Sequence, residues 1–122
     1  MKKSEVMKTR YRDPSYAYIL LADKSKLIGY SLYASISEKR LSLCLGNDCY
    51  EKFFSFDEET TAKFETRFQA KGNSEAFLWK LREVYVRRND DAEQVLSRIL
   101  AYCDRKGMRH NESCYCSYDD ND

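Results

Sequence analysis

The spacing of apolar residues changes near Asp57, and this change constrains the fold more than any other feature of the sequence. Before Asp57, apolar residues alternate with polar ones, which is the period of a half-buried strand. After Asp57 they recur every three or four residues, which is the period of an amphipathic helix. Because the strands come first and the helices second, the sequence predicts a compact α+β domain.

The first apolar run, residues 16–22, fits two structures. Asp13-Pro14 would make a favourable helix start, because Asp can cap a helix and proline suits the first helical position. A continuous apolar run followed by the polar stretch 23–26 also fits a buried strand. Periodicity does not distinguish a short buried strand from a buried helix. We favour the strand.

The next segments show clear alternation. Residues 27–36 and 40–45 are predicted strands, separated by a turn at 37–39. A second turn is expected at 46–48, where Gly, Asn and Asp follow one another, and 49–56 returns as another strand. These segments predict an antiparallel meander of three or four strands with one buried face.

Three helices are expected after the meander. Asp57 would cap the first helix, which is predicted to extend to about Lys71 with Gly72 at its C-terminal cap. The second helix begins near Ser74, and residues 89–90 interrupt the helical pattern. Its apolar residues form one stripe, so we expect the helices to cover one face of the sheet. That face would bear Tyr30, Leu32, Leu43 and Phe54.

The third helix starts with a capping-box pattern and is followed by a final strand. Asp90 and Glu93 have the spacing of the capping pair, and Gly107 would end the helix. Residues 112–118 alternate and predict a short C-terminal strand that could pair with the meander. The full prediction is an α+β fold with an antiparallel three- or four-stranded meander, three helices and a short C-terminal strand.

The length of 122 residues fits one domain. We divide the chain into a basic flexible arm at residues 1–12, a single α+β domain at 13–118 and an acidic tail at 119–122. Five basic residues and one acidic residue give the arm a net charge of +4, whereas the tail contains three aspartates. The sequence contains no apolar run of membrane-spanning length and no secretory signal at its start. We therefore expect a cytoplasmic protein that does not bind membranes, with its five cysteines as reduced thiols.

A metal site is not expected. The best candidate ligands are His110, Cys114 and Cys116, completed by Cys44, Cys49 or Cys103. Zinc knuckles usually separate two cysteines by two residues, whereas one residue separates Cys114 from Cys116. In a strand, those two side chains would lie roughly 7 Å apart on one face, which is a poor geometry for chelation. We interpret the cysteines as small packing residues and expect no metal and no cofactor.

Catalysis is also not expected. His110 is the single histidine, so any Cys–His or Ser–His pair would have to use it, and it lies in a predicted surface loop. Adjacent carboxylates occur at helix starts or in the tail, where capping and solubility explain them. The four glycines do not form a phosphate-binding loop. The sequence therefore favours a non-enzymatic protein.

Two surfaces have the composition of an interaction site. On the second helix, Trp79, Arg82 and Val86 lie away from the centre of the apolar stripe, and exposed Trp and Arg are typical of interface anchors. The alternative is that Trp79 packs beneath the first or third helix. On the second face of the sheet, Tyr33 and Arg40 accompany several serines. This face would suit protein recognition or base stacking if no helix covers it.

The sequence thus predicts a small intracellular protein that binds another macromolecule. Our first hypothesis is an inhibitor or adaptor that acts stoichiometrically on a protein target. Small proteins of phages and mobile elements that block host machinery share this lack of motifs. The alternative is a nucleic-acid-binding module that uses the Tyr/Arg sheet face and the arm residues Arg10, Tyr11 and Arg12. A small zinc protein or hydrolase around His110 and the cysteines is the third interpretation. The sequence does not indicate an oligomeric state.

Overall fold

A computed structural model describes residues 6–8, 17–25, 29–47 and 49–116. Within these ranges the chain forms one antiparallel sheet of six strands and three helices. The strands are β1 (Val6–Lys8), β2 (Ala17–Ala22), β3 (Ser31–Ser37), β4 (Arg40–Gly46), β5 (Tyr50–Ser55) and β6 (Asn111–Cys116). The helices are α1 (Glu58–Phe68), α2 (Ser74–Tyr85) and α3 (Ala92–Arg105).

The strands lie in the sheet in the order in which they occur in the sequence. The first five form a meander, the three helices follow, and β6 returns to pair with β5. The predicted α+β fold with a strand after the helices is confirmed. The meander is longer than the three or four strands expected, because residues 17–22 form a strand and residues 6–8 add another at the edge.

Part of the predicted basic arm belongs to the sheet. In β1, Val6 lies opposite Ile19 and Met7 lies opposite Tyr18. Residues 6–8 are therefore paired by backbone hydrogen bonds, which differs from the flexible arm expected for residues 1–12. A strand of three residues is too short to show an alternating pattern in the sequence. It forms because β2 presents a sheet edge with which its backbone can pair. The acidic tail, residues 119–122, lies outside the described residues.

The core lies between the helices and one face of the sheet. Leu32, Leu43 and Phe54 are buried on that face, as predicted, and Tyr30 is partly buried and packs against the core. After β5, the large apolar side chains that are fully buried are Phe56, Phe64, Phe77, Leu78, Leu81, Val95 and Ile99. Removing this much apolar surface from water is the main contribution to the stability of such a domain. No helix in the described ranges has the length and apolar character needed to cross a membrane.

The first helix begins as predicted but ends earlier. The side chain of Asp57 accepts a hydrogen bond from the backbone N–H of Thr60 at 2.7 Å, which is the N-cap expected. The helix ends at Phe68, because Gln69 adopts a left-handed conformation with φ of 55°. The predicted cap at Gly72 is therefore wrong, and Gln69 caps the helix instead. Backbone bonds from Gln69 N–H to the last carbonyls stabilise this end.

The capping box of α3 is shifted by one residue from the prediction. Asp91 and Gln94 each accept a hydrogen bond from the other's backbone N–H, at 2.8 and 2.9 Å. The neighbouring Asp90 instead forms an ion pair with Arg98 at 2.6 Å, so it is not available as the cap. The carboxylate of Asp90 is thus engaged by Arg98 and by the backbone N–H of Arg87, while that of Asp91 caps the helix.

Candidate interaction surface

The three helices lie on one face of the sheet and leave the opposite face without a described helix. Alternate residues of β3 and β4 are buried beneath the helices, and the residues between them are partly or fully exposed. We call this second surface the open sheet face. Its described members are Tyr18, Leu20, Ser31, Tyr33, Ser35, Ser37, Arg40, Ser42, Cys44, Gly46, Glu51, Phe53, Ser55, Asn111, Ser113 and Tyr115.

An apolar row crosses the middle of the open sheet face. The strand register places Leu20 opposite Tyr33, Tyr33 opposite Cys44, and Cys44 opposite Phe53. The side chain of Tyr33 is 38% exposed, and the other three are partly exposed. Tyr18 contacts Tyr33 edge-on, with 6.0 Å between ring centroids. The result is a continuous apolar surface across β2 to β5.

Two charged residues lie at opposite ends of the open sheet face. Arg40 begins β4 beside the β3–β4 turn, whereas Glu51 lies opposite Gly46 at the other end of that strand. Arg40 and Gly46 are six positions apart along β4, which corresponds to roughly 20 Å. The described members of this face therefore carry one positive and one negative group, which are too far apart to neutralise each other.

Cys44 lies on the open sheet face but is chemically unreactive there. Its Sγ donates a hydrogen bond to Oε2 of Glu51 across 3.4 Å. Burial, followed by this hydrogen bond and the negative charge of Glu51, raises the pKa of the Cys44 thiol to about 12. Because the thiolate is the nucleophilic form, this thiol is a poor nucleophile at neutral pH.

The predicted α2 surface is less open than the sheet face. Trp79 is partly buried and lines a cavity of about 320 Å³ together with Phe68, Ala70 and Ala76. The Trp79 indole nitrogen is buried and has no hydrogen-bond acceptor among the described residues. Val86 packs against the core. Arg82, also predicted for this surface, is partly exposed.

His110 is partly buried and is not the exposed loop residue expected from the sequence. Its side chain is 17% exposed and lies against the rings of Phe54 and Phe56, with centroid distances of 5.8 and 5.9 Å. Its Nε2 lies 2.9 Å from Glu112, whose other oxygen lies 3.2 Å from the ammonium group of Lys52. Hydrogen bonds from His110 and then Lys52 lower the pKa of the Glu112 carboxyl.

The contact between His110 and Glu112 resembles that of a catalytic histidine oriented by a carboxylate. Nucleophilic catalysis would also need a hydroxyl or thiol hydrogen-bonded to the imidazole. In the ranges described, no hydroxyl or thiol is bonded to His110. The thiol of Cys114 in β6 contacts the hydroxyl of Tyr50 at 3.2 Å. The network therefore joins β6 to β5 and positions the imidazole against the core.

The described cysteines do not form a metal centre. Cys44, Cys103 and Cys114 are free thiols, and burial raises the pKa of Cys103 to about 11. Across residues 6–8, 17–25, 29–47 and 49–116, no three His, Cys, Asp or Glu side chains come together in a way that could hold a metal ion.

The structure brings two of the predicted interaction residues onto one surface and adds others. Tyr33 and Arg40 lie on the open sheet face, whereas Arg10, Tyr11 and Arg12 lie outside the described residues. The sequence analysis missed Glu51, Phe53 and Tyr115, although the alternation of β5 assigns the first two to the same side of that strand. Comparisons with protein-family models, with curated proteins and with solved structures find no match for this chain.

Proposed function

We propose that this chain is a non-enzymatic protein-binding module that acts stoichiometrically on a protein target, as an inhibitor or adaptor. The observation that supports the proposal is the apolar row on the open sheet face, with an exposed Tyr33 at its centre. Aromatic side chains held on a rigid surface are typical anchors of protein interfaces, because they bury a large area at low entropic cost. The free thiols are in keeping with a reducing, cytoplasmic compartment, which is part of the proposal.

The charge of the open sheet face favours a protein partner over a nucleic acid. Nucleic-acid affinity depends on several lysine or arginine contacts with phosphates. The described members of this face include only one cation, Arg40, and one anion, Glu51. Nucleic-acid binding through the arm and the Tyr/Arg face is the alternative, and it predicts a steep loss of affinity with added salt.

A pair of matched variants tests the proposal. Tyr33 on the open sheet face and Val84 on α2 are large apolar residues with nearly equal exposure, 38% and 39%. Proteins from the native host would be captured with the wild type, with Tyr33→Ser and with Val84→Ser, and the partner would then be purified. We expect Tyr33→Ser to weaken the purified complex by at least about 2 kcal/mol, roughly 30-fold in Kd, and Val84→Ser to leave it unchanged.

Calorimetric titration of the purified pair would also give the stoichiometry, which we expect to be a fixed ratio. Equal losses in the two variants would contradict the open sheet face as the contact surface. If Tyr33→Ser is silent and Trp79→Phe weakens the complex, the α2 surface is the contact site. A partner that is nucleic acid, released by moderate salt, would support the alternative function.

A further inference from the structure

A small pocket opens at the end of the open sheet face where β3, β4 and β5 meet. Its volume is about 240 Å³, and Ser31, Tyr33, Cys44 and Glu51 line it. The register explains why it exists: Ser31 lies opposite Gly46, and Gly46 lies opposite Glu51. The middle position of this cross-strand row therefore has no side chain, and the gap between Ser31 and Glu51 stays open.

Glycine is required at the middle position. A Cβ atom at residue 46 would lie 2.2 Å from the backbone oxygen of Tyr50, a distance that real side chains do not tolerate. Gly29 borders the same pocket, and a Cβ there would approach only the Asn47 side chain, at 3.9 Å. The close approach of β4 to β5 thus goes together with an open pocket on the sheet face.

The electrostatics of the pocket favour a cation. Glu51 carries the one formal charge among its lining residues. No ion pair joins this carboxylate to another described residue, and its one side-chain hydrogen bond within the described ranges comes from the weak S–H donor of Cys44. The raised pKa of that thiol keeps it neutral beside the carboxylate. The carboxylate of Glu51 and the ring of Tyr33 line the same pocket, so a cation there has both a charge-assisted hydrogen bond and a cation–π contact within the pocket lining.

We propose that this pocket receives an arginine or lysine side chain of the partner that binds the open sheet face. The proposal rests on the proposed function and names the chemistry of the partner. The guanidinium or ammonium group would contact Glu51, and neighbouring apolar residues of the partner would lie on Tyr33 and Phe53. A guanidinium group suits both the carboxylate of Glu51 and the ring of Tyr33, because it forms a bidentate pair with a carboxylate and stacks on an aromatic ring.

The four glycines of the chain provide a direct test. Gly29 and Gly46 line the pocket, whereas Gly72 and Gly107 follow α1 and α3 on the other side of the sheet. Amide spectra of the ¹⁵N-labelled full chain would be recorded with N-acetyl-arginine amide and with its neutral analogue, N-acetyl-citrulline amide. We expect saturable shifts at Gly29 and Gly46 with the arginine probe, at least roughly tenfold weaker binding of the citrulline probe, and no shift at Gly72 or Gly107.

Two variants make the test specific to the carboxylate. Glu51→Gln should abolish the response to the arginine probe, and Glu38→Gln, which neutralises an exposed glutamate in the β3–β4 turn, should preserve it. Unchanged Gly72 and Gly107 signals would show that both variants are folded. Equal binding of the two probes, the absence of a response to the arginine probe, or a full response in Glu51→Gln would overturn the proposal.

The same variants separate this inference from the proposed function. With the purified partner, Glu51→Gln should weaken binding by about tenfold, whereas Glu38→Gln should not. If Tyr33→Ser weakens the complex and Glu51→Gln leaves it unchanged, the open sheet face is the contact surface but the pocket does not hold a cation. If Tyr33→Ser and Glu51→Gln both bind the partner as the wild type does, the proposed contact surface is wrong as well.

Discussion

Two tyrosines of the helix layer, Tyr85 and Tyr102, differ in what their hydroxyl groups contact. The hydroxyl of Tyr102 accepts a hydrogen bond from Arg67 at 3.4 Å, and the guanidinium lies 4.4 Å from the ring centroid. The hydroxyl of Tyr85 is buried and has no partner among the described residues. Burial raises the pKa of Tyr85 to about 12. A hydroxyl that leaves water without gaining a partner lowers the stability of the folded state.

Replacing these tyrosines by phenylalanine should have opposite effects on stability. We expect Tyr85→Phe to raise the free energy of unfolding by roughly 1 kcal/mol, because it removes an unpaired buried hydroxyl. Tyr102→Phe should lower it by about the same amount, because it removes a hydrogen-bond partner of Arg67. Urea unfolding of the two variants and the wild type measures both changes. A destabilised Tyr85→Phe protein would show that the hydroxyl has a partner in solution.

At the scale of elements, sequence periodicity predicts the type of each long segment better than its ends. The alternation of residues 40–45 and the helix expected between Asp90 and Gly107 both correspond to the element observed. The residues at which helices and strands begin and end depend on local contacts, which the spacing of apolar residues does not describe. Gln69 ends α1 because its backbone adopts φ of 55°, which is uncommon for a residue other than glycine. β1 was missed because three residues carry no readable period.

The start of α3 gives a test at this scale. Asp91→Ala should lower the free energy of unfolding by roughly 0.5 to 2 kcal/mol, because it removes the side chain that caps the helix. Glu93→Ala, at the position that the sequence pattern assigned to the capping box, leaves both reciprocal bonds of Asp91 and Gln94 in place and removes instead the hydrogen bond that Glu93 accepts from Ser25. Thermal unfolding followed by far-UV circular dichroism would measure both variants. An Asp91→Ala protein as stable as the wild type would contradict the observed cap.

The open sheet face belongs to the scale of the whole molecule. Alternation within β3 and β4 predicts which residues share a side of each strand, so Tyr33 and Arg40 could be identified from the sequence. The pocket beside Glu51 could not, because it depends on the register that sets Ser31, Gly46 and Glu51 in one row. The burial of His110 was missed for the same reason, since its aromatic neighbours lie about half the chain away in sequence.

The single core makes a further prediction about the whole molecule. Leu81 of α2 and Ile99 of α3 are both 0% exposed and belong to the same apolar cluster as the buried residues of the sheet. Truncation of either residue to alanine should therefore cost roughly 2 to 5 kcal/mol and should destabilise strands and helices together. Trp79, the one tryptophan, reports on the helix layer by fluorescence, and far-UV circular dichroism reports on the whole backbone. We expect the two signals to give the same unfolding midpoint as each other in the wild type and in each variant, because one core unfolds in one step.

As a control, Val84→Ala on the exposed side of α2 should leave the midpoint almost unchanged. Separate midpoints for the two signals, or an unchanged midpoint in Leu81→Ala and Ile99→Ala, would show that the helices and the sheet do not share one cooperative core.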